Sequence, residues 1–118
     1  MRDPVEDFFD GLARRGFEPL LQHTIGSIRF DVLDGDETDH WWVGVDRGRV
    51  TVCHEDRAAT SVVRQDRSTL VDTIMGRVNP MTVFLRGDAG YSGESEPLVV
   101  FQRLFPDRSI AVAEPARR

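Results

Sequence analysis

The stretch Gly76–Gly93, GRVNPMTVFLRGDAGYSG, constrains the fold more than any other part of the chain. It reads as a helix stop, a fresh helix start, a short apolar helix, a second stop and a strand. Asn79 is a strong N-cap, and Pro80 suits the first helical position because its missing N–H would have no partner there. Gly76 and Gly87 suit the stops, since glycine adopts the left-handed conformation that follows a helix without a Cβ penalty. Between them Met81, Val83, Phe84 and Leu85 crowd apolar surface onto barely two turns. Protein or ligand must cover it.

Upstream, the period of the pattern changes from helical to alternating. Asp3-Pro4 opens a helix, and Val5, Phe8, Phe9 and Leu12 follow on one stripe until Gly16 stops it. Phe17 is placed to fold back onto Leu12. From Ile25, the residues Ile28, Phe30 and Val32 alternate with polar neighbours, a half-buried strand. Trp41, Val43 and Val45 repeat the pattern after the DGDETD turn, and Val50 and Val52 do so after Arg47-Gly48. Closely spaced hairpins of this kind make an antiparallel meander. A fourth strand covers Ala59 to Gln65, with Ala59, Ser61 and Val63 on one face.

Asp66 then caps a helix carrying Leu70, Ile74 and Met75. After the short helix, Ala89 and Tyr91 belong to a fifth strand. Glu96-Pro97 starts a last helix, with Leu98, Phe101, Leu104 and Phe105 on one face and Pro106 as its stop. The order is α-β-β-β-β-α-α-β-α. Each strand has one apolar face, which predicts an α+β domain: a five-stranded, mostly antiparallel sheet with helices packed on one face. The other face carries Arg29, Asp31, Gly44, Asp46, Thr51 and Arg64 and suits solvent, with Trp42 as its exception. Residues 1–118 read as a single domain, with a core from about 4 to 106 and a polar tail ending in EPARR.

Charge excludes some partners. The net charge of −5 argues against phosphate-driven binding of nucleic acid and against docking on anionic membranes. All 15 basic residues are Arg, a coding bias that suggests a bacterial source. The single Cys53 has no internal partner, so a reducing cytoplasm is expected. MRDPVEDFFD lacks the apolar segment of a signal peptide, and no run is long enough to insert in a bilayer.

The segments GSIRFDV, Trp41-x-Val43-x-Val45-x-x-Gly48 with x-Val50-x-Val52, AATSVV, DRSTLVDTIMGRVNPMTVFLRG and GDAGYSGESEPLVVFQRLFP together resemble the sterol carrier protein type 2 family. The likeness runs from about Gly26 to Pro106. The Gly-x-x-Asn-Pro-Met block, followed by a strand ending in Gly and a Leu/Phe-rich helix, is its most specific part. The resemblance implies an apolar tunnel between sheet and helices that holds a fatty acyl chain, a sterol or a similar lipid, with no catalysis and no cofactor. The chain departs from the family at Ala89, where a larger apolar residue is usual, and in having no Lys between Gly87 and Gly93. The second departure weakens the expectation of an ion-paired headgroup. Combining the tunnel with the apolar stripes, the expected lining is Phe30, Trp41, Val43, Met75, Met81, Phe84, Leu85, Phe101, Leu104 and Phe105. Met81 and Phe84 in particular are expected to border the cavity.

Other chemistry finds less support in the residues. The three histidines, His23, His40 and His54, lack metal-site spacing, and on a strand Cys53 and His54 point to opposite faces. Asp34, Asp36, Glu37 and Asp39 miss the calcium-loop pattern and read as a solvated hairpin. Ser92 and Ser95 lie near glycines but form no nucleophile elbow. No metal or cofactor is therefore expected. Two alternatives to an apolar-ligand carrier stay open. An exposed Trp42 would mark a partner or homodimer surface, and His40 or Asp31 at a pocket mouth would suggest catalysis.

Overall fold

The computed structural model describes residues 3–105. Pro106 as a helix stop and the polar tail lie outside the described residues. Helix α1 (Pro4–Arg15) begins where Asp3 accepts a hydrogen bond from the Val5 N–H at 2.9 Å, and it ends at Gly16. The chain then docks on the sheet edge: Glu18 N–H donates to Gly48 O at 2.8 Å and Val50 N–H to Gly16 O at 2.9 Å. Phe17 is 52% exposed. Its ring occupies the space above Gly48, where an added Cβ would come within 2.6 Å of it.

Strands β1 (Ile25–Asp34) and β2 (Glu37–Asp46) form a long hairpin, in register from Ile25↔Asp46 to Asp34↔Glu37. Strand β3 (Arg49–Cys53) follows after Arg47 and Gly48, whose φ values of 51° and 93° make the tight, twist-matched turn of a two-residue hairpin. Strand β4 (Ser61–Asp66) starts two residues later than the sequence suggests, leaving Ala59 in the connection. It pairs with β1, not with β3, and does so in parallel. Strand β5 (Ala89–Gly93) closes the sheet against β4. The spatial order is β3-β2-β1-β4-β5, so the sheet is mixed, with one parallel pair among antiparallel ones.

This order has a consequence for the outer face. Residues 54–60 must cross β2 and β1 to reach β4, and they do so on the side away from the helices. Ala58 O accepts from Trp42 Nε1 at 3.0 Å, and Arg57 O accepts from Arg29 at 3.3 Å. The crossover therefore covers part of a face expected to meet water. At its end Gly93, with φ 88°, passes so close to Thr60 that an added Cβ would fall 2.1 Å from the Thr60 carbonyl oxygen. Only glycine fits there.

Helices α2 (Arg67–Ile74), α3 (Pro80–Arg86) and α4 (Glu96–Phe101) lie with α1 on the inner face, and a 3₁₀ turn, Gln102–Leu104, extends α4. Asp66 stands at the N-cap of α2, though its side chain makes no capping hydrogen bond. Asp3 pairs with Arg67, tying the start of α1 to α2. Phe9, Leu12, Leu21, Ile28, Val43 and Leu70 form the fully enclosed part of the core. A chain of rings runs through it. Trp41 stacks on Phe9 at 4.8 Å, Phe9 meets Phe30 at 5.2 Å, and Phe30 meets Phe101 at 5.3 Å. Among the described residues no helix is long and apolar enough to cross a membrane.

Candidate functional site between sheet and helices

The site is built where the helices α3 and α4 lean on the β1, β4 and β5 end of the sheet. Asn79 caps α3 by accepting from the Met81 N–H at 2.7 Å, and Pro80 follows at the first position. The helix has only 7 residues, so it can turn few side chains inward. Val83 is the one that is buried, at 2% exposure. Beneath it lies a small cavity of about 30 Å³. Phe30 and Val63 form its floor, Pro80 and Val83 its roof, and Leu98, Phe101 and Phe105 its wall. Gln65, Thr73, Tyr91 and Gln102 supply the polar part of the lining. A space of this size holds about one water, whereas sites for drug-sized molecules run to roughly 300–1,000 Å³.

The residues expected from the sequence divide into groups. Phe30, Phe101 and Phe105 line the cavity. Val43 is wholly enclosed in packed core, and Trp41 is sandwiched between Phe9 and the His54 ring, 3.9 Å away. Leu104 packs against the core at its margin. Met75, Met81, Phe84 and Leu85 are 38, 42, 48 and 75% exposed. Met81, Phe84 and Leu85 face outward because the short helix α3, seated through Pro80 and Val83, must turn its remaining apolar side chains away, and Met75 lies at the end of α2, outside the cavity lining. Phe84 still reaches the Tyr91 ring, 5.1 Å between centroids. Val63, Gln65 and Tyr91 were not singled out for the site. The parity of β4 from Ser61, and of β5 from Ala89, would have found them.

The outer face differs from its expected solvated state. Asp31 is 5% exposed. Arg29 donates to it through Nε at 2.8 Å and Nη2 at 3.2 Å, and His40 Nδ1 lies 2.8 Å from the same carboxylate. Burial alone would raise the Asp31 pKa, but the hydrogen bonds from Arg29 and His40 outweigh it and hold the carboxyl below its ordinary range. Asp56, from the crossover, pairs with Arg29 at 3.2 Å. This cluster lies across the sheet from the cavity, so neither Asp31 nor His40 stands at its mouth. Trp42 is half-buried rather than exposed: its indole N–H is bonded to Ala58 and the Arg57 guanidinium lies 3.9 Å from the ring centre. The exposure on which a dimer patch would rest is therefore mostly covered.

Two further polar features fall outside the cavity. His54 Nε2 lies 2.6 Å from Asp39, which engages the acidic hairpin. The Trp41 indole nitrogen is the one fully enclosed side-chain nitrogen or oxygen without a partner among the described residues. Among those residues no three His, Cys, Asp or Glu side chains are grouped to hold a metal.

The family model of the SCP-2 sterol transfer family matches residues 9–106. No curated protein matches the chain. Among solved structures the chain is similar to the sterol carrier protein domain 2 of Helicoverpa armigera, with TM-score 0.68 and 21% identity over 85% of this chain and 86% of that one. It is similar to the apo form of sterol carrier protein 2 from Yarrowia lipolytica, with TM-score 0.65 and 14% identity over 86% and 84%. The inverting sec-alkylsulfatase Pisa1 from Pseudomonas sp. is also similar, with TM-score 0.65 and 18% identity, over 83% of this chain but 16% of that one. At these identities the likeness to solved structures is one of fold.

Proposed function

This chain belongs to the SCP-2 sterol transfer family, and we propose that it binds an apolar ligand, a fatty acyl chain or a sterol-like lipid, between its sheet and helices without catalysing a reaction on it. The observation that carries the reading is the mostly apolar cavity beneath Val83, roofed by the short helix α3. In the closed form its volume of about 30 Å³ is too small for a lipid. Binding then requires α3 and the adjoining part of α4 to move outward. The helix α3 is suited to this, since it buries few side chains and is bounded by Gly76 and Gly87.

Enclosing about ten methylenes would contribute roughly 8 kcal/mol before the costs of association. Part of that gain would offset opening the layer. Shape and burial would dominate, because no lining residue carries a charge. We read residues 4–106 as one lipid-binding unit acting in a reducing bacterial cytoplasm, where Cys53 stays a free thiol. Displacement of a fluorescent fatty acyl probe, with the stoichiometry read by native mass spectrometry, tests the reading. A single displaceable ligand per chain is expected. Absence of any bound or displaceable apolar ligand would refute it.

A further inference from the structure

The cavity contains one polar group that packing does not account for. Along β4 the side chains of Ser61, Val63 and Gln65 alternate onto the inner face. Ser61 spends its hydroxyl on Glu94 O at 2.6 Å, and the Thr73 hydroxyl donates to Thr69 O at 3.0 Å. Gln65 is 8% exposed and lines the cavity, yet its side-chain amide makes no hydrogen bond with any described residue. A primary amide offers donors and acceptors together, and burying one unpaired is costly. The Gln65 amide is not fully enclosed but opens onto the cavity space, so its partner there is a water or a group of the ligand.

Two neighbours extend the polar spot. Tyr91, on the adjacent strand β5, lines the same space, and burial pushes its phenol pKa up, keeping it a hydrogen-bond donor. Gln102 approaches from the turn after α4. All three are neutral, and the whole lining lacks a cation. An ionised carboxylate brought here would lose its hydration and gain no counter-charge. A hydroxyl both donates and accepts, which matches an amide. It is also the size of the water that the closed cavity has room for, so it can take that water's place while the attached chain opens the layer.

We propose that Gln65, with Tyr91 and Gln102, forms an uncharged polar station in the cavity that selects apolar ligands bearing a hydroxyl over those bearing an ionised carboxylate. This rests on the apolar-ligand reading above, and the experiment separates the two. Three probes with one chain length, 1-dodecanol, dodecane and dodecanoate at pH 8, are competed against a fluorescent fatty alcohol on the full chain. The same is done with Gln65→Met, which keeps the side-chain length and removes its hydrogen bonding. Dodecanol is expected to outcompete dodecanoate. In Gln65→Met its affinity relative to dodecane should fall about tenfold, the worth of a hydrogen bond at the upper end of the usual range. Tyr91→Phe, which loses only the phenol hydroxyl, serves as a second variant and should weaken dodecanol severalfold. Dodecanoate binding as tightly as dodecanol, or a dodecanol-to-dodecane ratio unchanged in both variants, would overturn the station while leaving the carrier reading intact. Failure of all three probes to bind would overturn both.

Discussion

Asp31→Asn is the sharpest probe of how the outer face is held. The carboxylate is 5% exposed and receives two hydrogen bonds from Arg29 and one contact from His40, at 2.8 to 3.2 Å. Hydrogen bonds to charged groups contribute roughly 1.5–3 kcal/mol each, and removing one partner of a buried ion pair costs roughly 3–5 kcal/mol. Arg29 would keep Asp56 at 3.2 Å, but that side chain is 64% exposed and compensates little. We take about 3 kcal/mol for the substitution at pH 7, which for a domain of this size lowers the melting temperature by about 10 °C. The pH dependence has a fixed sign. The Asp31 carboxyl in the folded state lies below its ordinary value of 3.8. Its contribution is therefore fully present above that value and is lost as pH falls through the depressed one. Thermal unfolding followed by circular dichroism should show the full gap between wild type and variant at pH 7 and a gap that narrows below about pH 4. Equal melting temperatures at pH 7, or a gap that persists unchanged at pH 2.5, would refute the reasoning.

The remaining predictions concern single positions. Gly93→Ala should destabilise by at least about 2 kcal/mol in chemical denaturation, because its φ of 88° and the Thr60 carbonyl leave no room for a Cβ. Val83→Ala should cost about 2 kcal/mol in the same assay, whereas Leu85→Ser, at a position 75% exposed, should stay within about 0.5 kcal/mol. Trp42→Ala should lower the melting temperature through the lost Ala58 hydrogen bond and Arg57 contact. It should leave the mass by light scattering unchanged, and a change of mass would revive the interface reading.

Local structure was legible where local chemistry decides it. Asp3 and Asn79 cap helices, Gly16 and Gly87 end them, and Arg47-Gly48 turns the second hairpin, each as its residue type dictates. Strand parity placed Phe30, Trp41 and Val43 on the inner face. Sheet order was less accessible, since nothing in the pattern of β4 says that it pairs in parallel with β1. That pairing forces residues 54–60 across the outer face, and so Asp31 and Trp42, exposed by parity, are covered by a segment that reads as an ordinary polar loop. The site was partly legible for a similar reason. Helical spacing on α3 identifies which side chains share a face, but not that Val83 is the face turned inward. Gln65 is a polar residue flanked by Arg64 and Asp66, and only its parity with Val63 carries it into the cavity.

The central claim is that an apolar chain enters between α3, α4 and the sheet. A spin-labelled acyl chain added to isotopically labelled protein would test it through paramagnetic broadening of assigned resonances. The account predicts broadening centred on Val83, Leu98, Phe101 and Val63, with Trp42 and Gly44 on the outer face spared. Broadening centred on the outer face, or none at saturating ligand, would contradict it.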